Sequence, residues 1–371
     1  MEKNNVKRIH DFGQSVWLDF IDRQIMNTGE LQRLIDEDGV RGVTSNPAIF
    51  EKASSSSSDY DADIKELSQQ DLSNEDVFYR LAVRDIKRAA DLFKPVYEEE
   101  VKGADGYISL EVSPHLARDT EGTIRQAREL WKAVDRENVM IKIPSTAEGL
   151  PAIRTCISEG ININITLLFS LSRYEEVADA YISGLEDRLK QNQPIAHIAS
   201  VASFFLSRID VIVDPLLKEK GLNQLYGEVA IASAKKAYEL YKRIFSSERF
   251  KKLEAKGARP QRLLWASTSS KNPNFADTKY VEALIGPDTV NTIPLDTLEA
   301  FKDHGHAANT LEDDLDKATH TLSQLQEAGI SLEDITQRLE DEGIDKFNKP
   351  YDKLLEAIGQ QKQKAMASGN S

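Results

Sequence analysis

The stretch Val139–Leu150, "VMIKIPSTAEGL", sets a lysine inside a run that otherwise reads as a fully buried strand. Side chains alternate along a strand, so Lys142 shares a face with Met140 and Pro144, while Ile141 and Ile143 face the other way. An amine in a dry interior has its charged form penalised, which leaves more of the nucleophilic neutral form that imine chemistry requires. The plainer alternative is a strand-end lysine whose head reaches solvent or pairs with Glu111 as a structural ion pair. Glu111 lies on "YISLEV", and a carboxylate on an apolar strand normally needs a buried partner. By the same alternation Ser109 shares a face with Glu111, and Asn164 shares one with Thr166 in "NINITL".

Short β-branched or apolar runs alternate with longer segments of helical period, the pattern of repeated βα units. Eight strand candidates follow: Val16–Phe20, Gly42–Ser45, Tyr107–Val112, Val139–Pro144, Asn162–Leu167, Ile198–Ser203, Leu263–Thr268 and Val290–Pro294. Their continuous apolar character suits strands covered on both faces, as in parallel sheets. The count predicts an α/β fold, a closed (β/α)8 TIM barrel, for which about 250 residues is typical. The surplus of the 371 residues falls in two additions to one barrel domain spanning 1–371. One is a helical insertion after the second strand, approximately 51–105, entered through a serine run, Ser54–Ser58, that reads as a flexible surface connection. The other is an amphipathic C-terminal helical extension, approximately 310–365, followed by a tail, "MASGNS", expected to fray. A further helix is expected to open at Ser113-Pro114 and to carry Ile124, Ala127, Leu130, Trp131 and Val134 on one stripe.

In such a barrel the chemistry lies at the C-terminal ends of the strands. Reading the candidates in that way selects Asp19, Thr44, Ser45 and Asn46, then Ser109 and Glu111, Lys142, Asn164 and Thr166. Ser203, Phe205 and Arg208 follow the sixth strand, and Ser267, Ser269 and Lys271 the seventh. Taken singly, several have ordinary explanations. Asp19 can cap the next helix, Asn46-Pro47 is a common turn dipeptide, and Thr166 and Ser109 suit any strand. Arg208 can pair with Asp210 on a surface.

Bulk properties narrow the classes. A net charge of −14 repels nucleic acid and anionic membranes, so a phosphorylated ligand must be held by local cations. The polar N-terminal stretch lacks the apolar core of a signal peptide, and no run reaches the length of about 18 residues needed to span a bilayer, so the chain reads as cytoplasmic. Cys156, the one cysteine, reads as a small packed residue and fits a reducing compartment. The six histidines are scattered, with His304 and His306 the one close pair, and no metal site is expected.

Seven segments together resemble a known family: "VWLDF" (16–20), "GVTSNPAIF" (42–50), "YISLEVSP" (107–114), "VMIKIPST" (139–146), "GININITLLFS" (160–170), "ASFFLSRID" (202–210) and "LWASTSSKNP" (264–273). They are similar to transaldolase, most closely the longer form of cyanobacteria and actinobacteria. The resemblance implies a Schiff-base barrel enzyme of the pentose phosphate pathway without metal or organic cofactor. It would move a dihydroxyacetone unit from sedoheptulose 7-phosphate to glyceraldehyde 3-phosphate, giving erythrose 4-phosphate and fructose 6-phosphate. It places Lys142 on the Schiff-base lysine, Asp19 on the acid/base aspartate, Glu111 on a glutamate working through water, and Thr166 on the threonine orienting that water. Asn46, Asn164 and Ser203 match ligands of the ketose hydroxyls, with Thr44 and Ser109 beside them, and Arg208 matches the phosphate arginine. Many members have an arginine on the seventh strand where this chain reads "STSSKNP", so Lys271 is the expected second phosphate ligand without guanidinium geometry. Phe205 stands where related single-substrate aldolases have a tyrosine. Two rivals remain at this point: an aldolase that releases free dihydroxyacetone, and a barrel that only binds. The C-terminal helices leave a monomer and a homodimer both open.

Overall fold

The eight runs pair side by side in chain order, all parallel, and the last closes on the first. In the computed structural model, which describes residues 4–99 and 101–368, they are β1 (Gln14–Leu18), β2 (Gly42–Val43), β3 (Tyr107–Glu111), β4 (Val139–Pro144), β5 (Ile163–Leu168), β6 (Ser200–Phe205), β7 (Arg262–Ala266) and β8 (Thr289–Ile293). The (β/α)8 barrel expected from the sequence is therefore the fold, and β4 has the expected bounds. β2 is shorter than expected because the chain turns at Asn46, whose side chain accepts from the Ile49 N–H and caps the helix Pro47–Ser56. β6 runs further than expected, which brings Phe205 into the strand on the face of Ser203.

Register decides which side chains enter the barrel. Glu111 pairs with Lys142, Lys142 with Asn164, and Pro144 with Thr166. Residues in register on adjacent parallel strands face the same side, so these four functional types share the interior while Ile141, Ile143, Ile163 and Ile165 meet the helices. The floor is filled by Trp17, whose Nε1 donates to Asp105 Oδ1 at 2.7 Å and whose ring lies 6.0 Å from the Arg262 guanidinium. Gly42 is required opposite that indole, because a Cβ there would lie 2.6 Å from Trp17 Cδ2. β5 carries a register shift between Ile165 and Leu168, and Leu167 adopts φ 54°, a left-handed conformation rare for a bulky residue. Ser145 Oγ donates to the Leu167 carbonyl at 2.9 Å and Gly343 packs on its side chain, so the bulge beside Thr166 is fixed from two sides.

Part of each addition lies at the mouth of the barrel, where the helix Pro47–Ser56 meets the long C-terminal helix. Between β2 and β3 stand the helices Pro47–Ser56, Asp61–Leu67, Asn74–Leu92 and Lys94–Glu98. The serine run departs from its expected looseness: Ser54–Ser56 continue a helix, with Ser54 buried. Ser54 and Ser55 hydroxyls donate to the carbonyls of Glu51 and Lys52, so hydroxyl groups that would compete with the backbone are satisfied within the turn. The helix expected from Ser113-Pro114 starts instead at Thr120, after a 3-10 turn Pro114–Leu116, because Asp119 accepts from the Gly122 N–H and sets the cap there. Its expected stripe is buried except for Trp131, which is half-buried. The C-terminal helices are Leu315–Glu327 and Leu332–Ser368, and the second packs across Pro47–Ser56 and Asn74–Leu92. Residues 366–368 of the tail expected to fray extend this helix, while 369–371, like 1–3 of the polar N-terminal stretch, lie outside the described residues. No helix among the described residues is long and apolar enough to cross a membrane.

Candidate active site

Lys142, 6% exposed on β4, reaches across the barrel mouth. Its Nζ donates to the Ser45 carbonyl at 2.9 Å and stands 3.4 Å from Glu111 Oε2. The structural ion pair considered from sequence thus exists, but it is long, and both Glu111 oxygens are buried without a hydrogen bond from the protein. Burial pushes the Glu111 carboxyl above the usual carboxylate range; Lys142 opposes that rise and Asp19 adds to it. Thr166 Oγ1 is likewise buried without a protein partner. These atoms keep hydrogen-bonding capacity for a substrate or water, since buried polar groups are otherwise almost always paired.

Asp19 leaves the end of β1, where its N–H donates to the Ile293 carbonyl of β8 at 2.9 Å. It caps no helix: Asp22 does so, accepting from the Ile25 N–H at 2.7 Å. Its carboxylate accepts from Thr44 Oγ1 at 2.7 Å instead. Asp19 retains a partly exposed edge, and the rest of it sits deep in the mouth. That depth raises its pKa, against the opposing effects of Lys142, the Thr44 hydrogen bond, Arg208 and Lys271.

Below Lys142 the interior hydroxyl and amide groups form one chain. Asn164 Nδ2 donates to Ser109 Oγ at 3.0 Å, and Ser203 Oγ donates to Asn164 Oδ1 at 2.7 Å. β3, β5 and β6 are thereby tied together on the lumen side. Asn46 spends its Oδ1 on the helix cap, leaving the amide N–H groups as its remaining donors.

The far rim is aromatic and cationic. Phe205 lies 5.2 Å from Phe169, and the Arg208 guanidinium stands 5.6 Å from the Phe205 ring. Arg208 does not pair with Asp210, which accepts from Tyr280 OH at 2.6 Å and the Ala230 N–H at 2.9 Å. Arg208 Nη1 is buried without a protein partner. Burial holds the guanidinium below its usual pKa, partly offset by Asp19. Lys271 is exposed on the loop after β7 and donates to Ser269 Oγ at 2.9 Å; partial loss of water around its amine and then the Arg208 charge lower its pKa, against Asp19. Lys271 lies close enough to Arg208 to feel its charge, so the two cations share one field, which favours an anion between them.

Sequence reasoning did not single out three contributors. Thr292 on β8 stands 2.6 Å from Thr44, Tyr79 OH donates to the Glu111 carbonyl at 3.2 Å, and Tyr351 packs edge-on against Phe78 at 5.7 Å. With Phe50, these aromatic residues line a small void of about 10 Å³ beside the end of β3, next to Glu111. Alternation along "VNTIP" carried a signal for Thr292; the tyrosines carried none. A surface groove of about 570 Å³ lies elsewhere, and its lysines are already engaged: Lys279 and Lys317 with Glu228, and Lys235 with the Thr310 and Asp313 carbonyls. Among the described residues no group of three or more His, Cys, Asp or Glu is arranged to hold a metal ion.

A buried amine with two carboxylates near it, at the C-terminal mouth of a (β/α)8 barrel, is chemically equipped to attack a carbonyl. The family model described as "Transaldolase/Fructose-6-phosphate aldolase" matches residues 16–358, and the chain belongs to that family. It is similar to a protein named transaldolase from Trichodesmium erythraeum, 48% identical over 98% of this chain and 99% of the relative. A transaldolase from Saccharopolyspora erythraea is 46% identical over 98% of this chain and 99% of its own, and one from Thermobifida fusca 46% identical over 96% and 98%.

Proposed function

We propose that this enzyme carries out the transaldolase reaction through an imine on Lys142, moving a dihydroxyacetone unit from sedoheptulose 7-phosphate to glyceraldehyde 3-phosphate. The observation that carries the reading is the Lys142 amine, buried, 3.4 Å from Glu111 and facing a second carboxylate, Asp19. Cleaving a carbon–carbon bond beside a carbonyl leaves a carbanion, and a protonated imine is the electron sink that makes it accessible. Lys142 Nζ attacks the ketose C2 carbonyl. The carbinolamine then loses water, with protons moved by Glu111 through a water held by Thr166. Asp19 takes the proton of the C4 hydroxyl, the C3–C4 bond breaks, and its electron pair moves into the imine to give an enamine as erythrose 4-phosphate departs. The enamine attacks the aldehyde carbon of glyceraldehyde 3-phosphate, Asp19 returns its proton to the new alkoxide, and hydrolysis frees fructose 6-phosphate. The imine supplies the electron sink, so no metal or organic cofactor is called for.

Asn46, Asn164 and Ser203, with Thr44 and Ser109, hold the hydroxyls of the three-carbon unit, and the orphaned Arg208 Nη1 with Lys271 supports a phosphate at the rim. Phe205 offers the enamine no proton, which favours transfer over release of free dihydroxyacetone. The enzyme is placed in the cytoplasm as one barrel domain, monomer or homodimer, acting on sugar phosphates. The net charge of −14 supports the exclusion of nucleic-acid and membrane partners. The test supplies fructose 6-phosphate with and without erythrose 4-phosphate. Sedoheptulose 7-phosphate is expected when the acceptor is present, and sustained dihydroxyacetone release without it would replace transfer by aldol cleavage.

A further inference from the structure

β8 contributes no residue to the chemistry above, yet one of its side chains touches it. We propose that Thr292 is a positioning residue that orients and polarises Asp19 through Thr44. Thr292 Oγ1 lies 2.6 Å from Thr44 Oγ1, which lies 2.7 Å from Asp19 Oδ1. Thr292 and Thr44 are 4% and 2% exposed, so bulk water does not compete for either hydroxyl. Register explains the approach: Thr292 pairs with Trp17, a lumen-facing residue of β1, and Asp19 continues the same ladder through its N–H to Ile293.

Counting protons fixes the direction of the chain. Each threonine hydroxyl has a single proton to donate. Thr44 gives its proton to the Asp19 carboxylate, so the contact between the threonines is made with the proton of Thr292. The order is therefore Thr292 to Thr44 to Asp19, and donors in series strengthen one another in a low-dielectric interior. When Asp19 takes the C4 hydroxyl proton on the oxygen that faces the substrate, Thr44 keeps its contact with the other oxygen, now a weaker bond to a neutral carboxyl. The pair of threonines thus favours the unprotonated base while holding its orientation in both protonation states.

The other charges facing Asp19 are Lys142 from β4, Glu111 from β3, Arg208 from the helix after β6, and Lys271 from the loop after β7. The three cations favour the carboxylate, whereas burial and Glu111 oppose it. The inference rests on the reading of Asp19 as the base, and the experiment separates the two.

Thr292→Val keeps the shape and removes the hydroxyl; Thr292→Ala does so with less bulk should the valine disturb folding; Thr292→Ser restores the donor. Borohydride trapping of fructose 6-phosphate on Lys142 is expected to be unchanged in all three. In the valine and alanine variants kcat is expected to fall roughly 2- to 12-fold, the span of one neutral hydrogen bond. The acidic limb of the kcat/KM profile is expected to move to higher pH, and the serine variant to recover both. Asp19→Asn, run in parallel, should trap but not cleave. If Asp19→Asn is inactive and the hydroxyl-free variants keep the parent profile, or if serine fails to rescue them, the relay is wrong and the base stands. If Asp19→Asn still cleaves, the base and the relay fall together.

Discussion

Arg208 offers the sharpest quantitative consequence of the site as described. Its guanidinium is half-buried against Phe205, its Nη1 has no partner in the protein, and burial already works against its charge. On the proposed reading a ligand phosphate balances this cation, so replacing it with alanine should remove at least one charge-assisted hydrogen bond to the substrate. Such bonds contribute about 1.5–3 kcal/mol, equivalent to roughly 10- to 160-fold in kcat/KM. The structure also predicts where the loss falls. Arg208 stands at the rim while Lys142, Glu111 and Asp19 lie deeper, so the loss should appear mainly in KM and only for phosphorylated substrates. Steady-state transfer assays of Arg208→Ala with fructose 6-phosphate and with unphosphorylated fructose measure this directly. The preference for the phosphorylated sugar should collapse, with fructose turnover little changed. Equal losses on both sugars would refute the assignment, because Arg208 would then act on the reacting centre or on the fold. Lys271→Ala should cost less, since Lys271 is exposed and its amine already has a partner in Ser269.

Three further outcomes follow from other parts of the molecule. Gly42→Ala places a methyl 2.6 Å from a fully buried indole that has nowhere to move, so overpacking of about 1–3 kcal/mol should lower the thermal midpoint by a few degrees; an unchanged melting curve would mean that the floor is looser than described. Asp210 is pushed up to about 7 by burial against an ordinary value of 3.8, so the folded chain holds a proton that the unfolded chain releases. Its contribution to stability is full below the unfolded value and is lost as pH rises toward 7, at up to about 1.4 kcal/mol per pH unit; Asp210→Asn should flatten that decline in denaturant titrations between pH 4 and 7. Phe205→Tyr places an O–H donor near the enamine and should raise acceptor-independent dihydroxyacetone release, measured with fructose 6-phosphate alone.

The parts legible in the sequence were those written in local alternation. Lys142, Glu111, Ser109, Asn164 and Thr166 all face the lumen because side-chain parity is a property of neighbouring residues, which needs no knowledge of the fold. The barrel itself was legible for the same reason, as eight apolar runs separated by helical periods. Boundaries were less so. The helix after β3 begins at Thr120, where Asp119 competes successfully with the proline signal at Pro114, and the serine run was read by composition when its hydroxyls in fact bond back into a helix. What stayed hidden depends on distant parts of the chain meeting. Tyr351 reaches Glu75 from 276 residues away, and no spacing in a C-terminal amphipathic helix marks that residue as packing beside the end of β3. Thr292 was within reach of the alternation argument, but its meaning depends on a neighbour from β2 that pairing alone brings close.

The most direct measurement is on the amine of Lys142. Incubating the protein with fructose 6-phosphate and borohydride, digesting it and weighing the peptides should give one adduct of a reduced sugar phosphate or dihydroxyacetone, on the peptide containing Lys142, with none in Lys142→Met. An adduct on another lysine, or continued carbon transfer by folded Lys142→Met, would contradict the account.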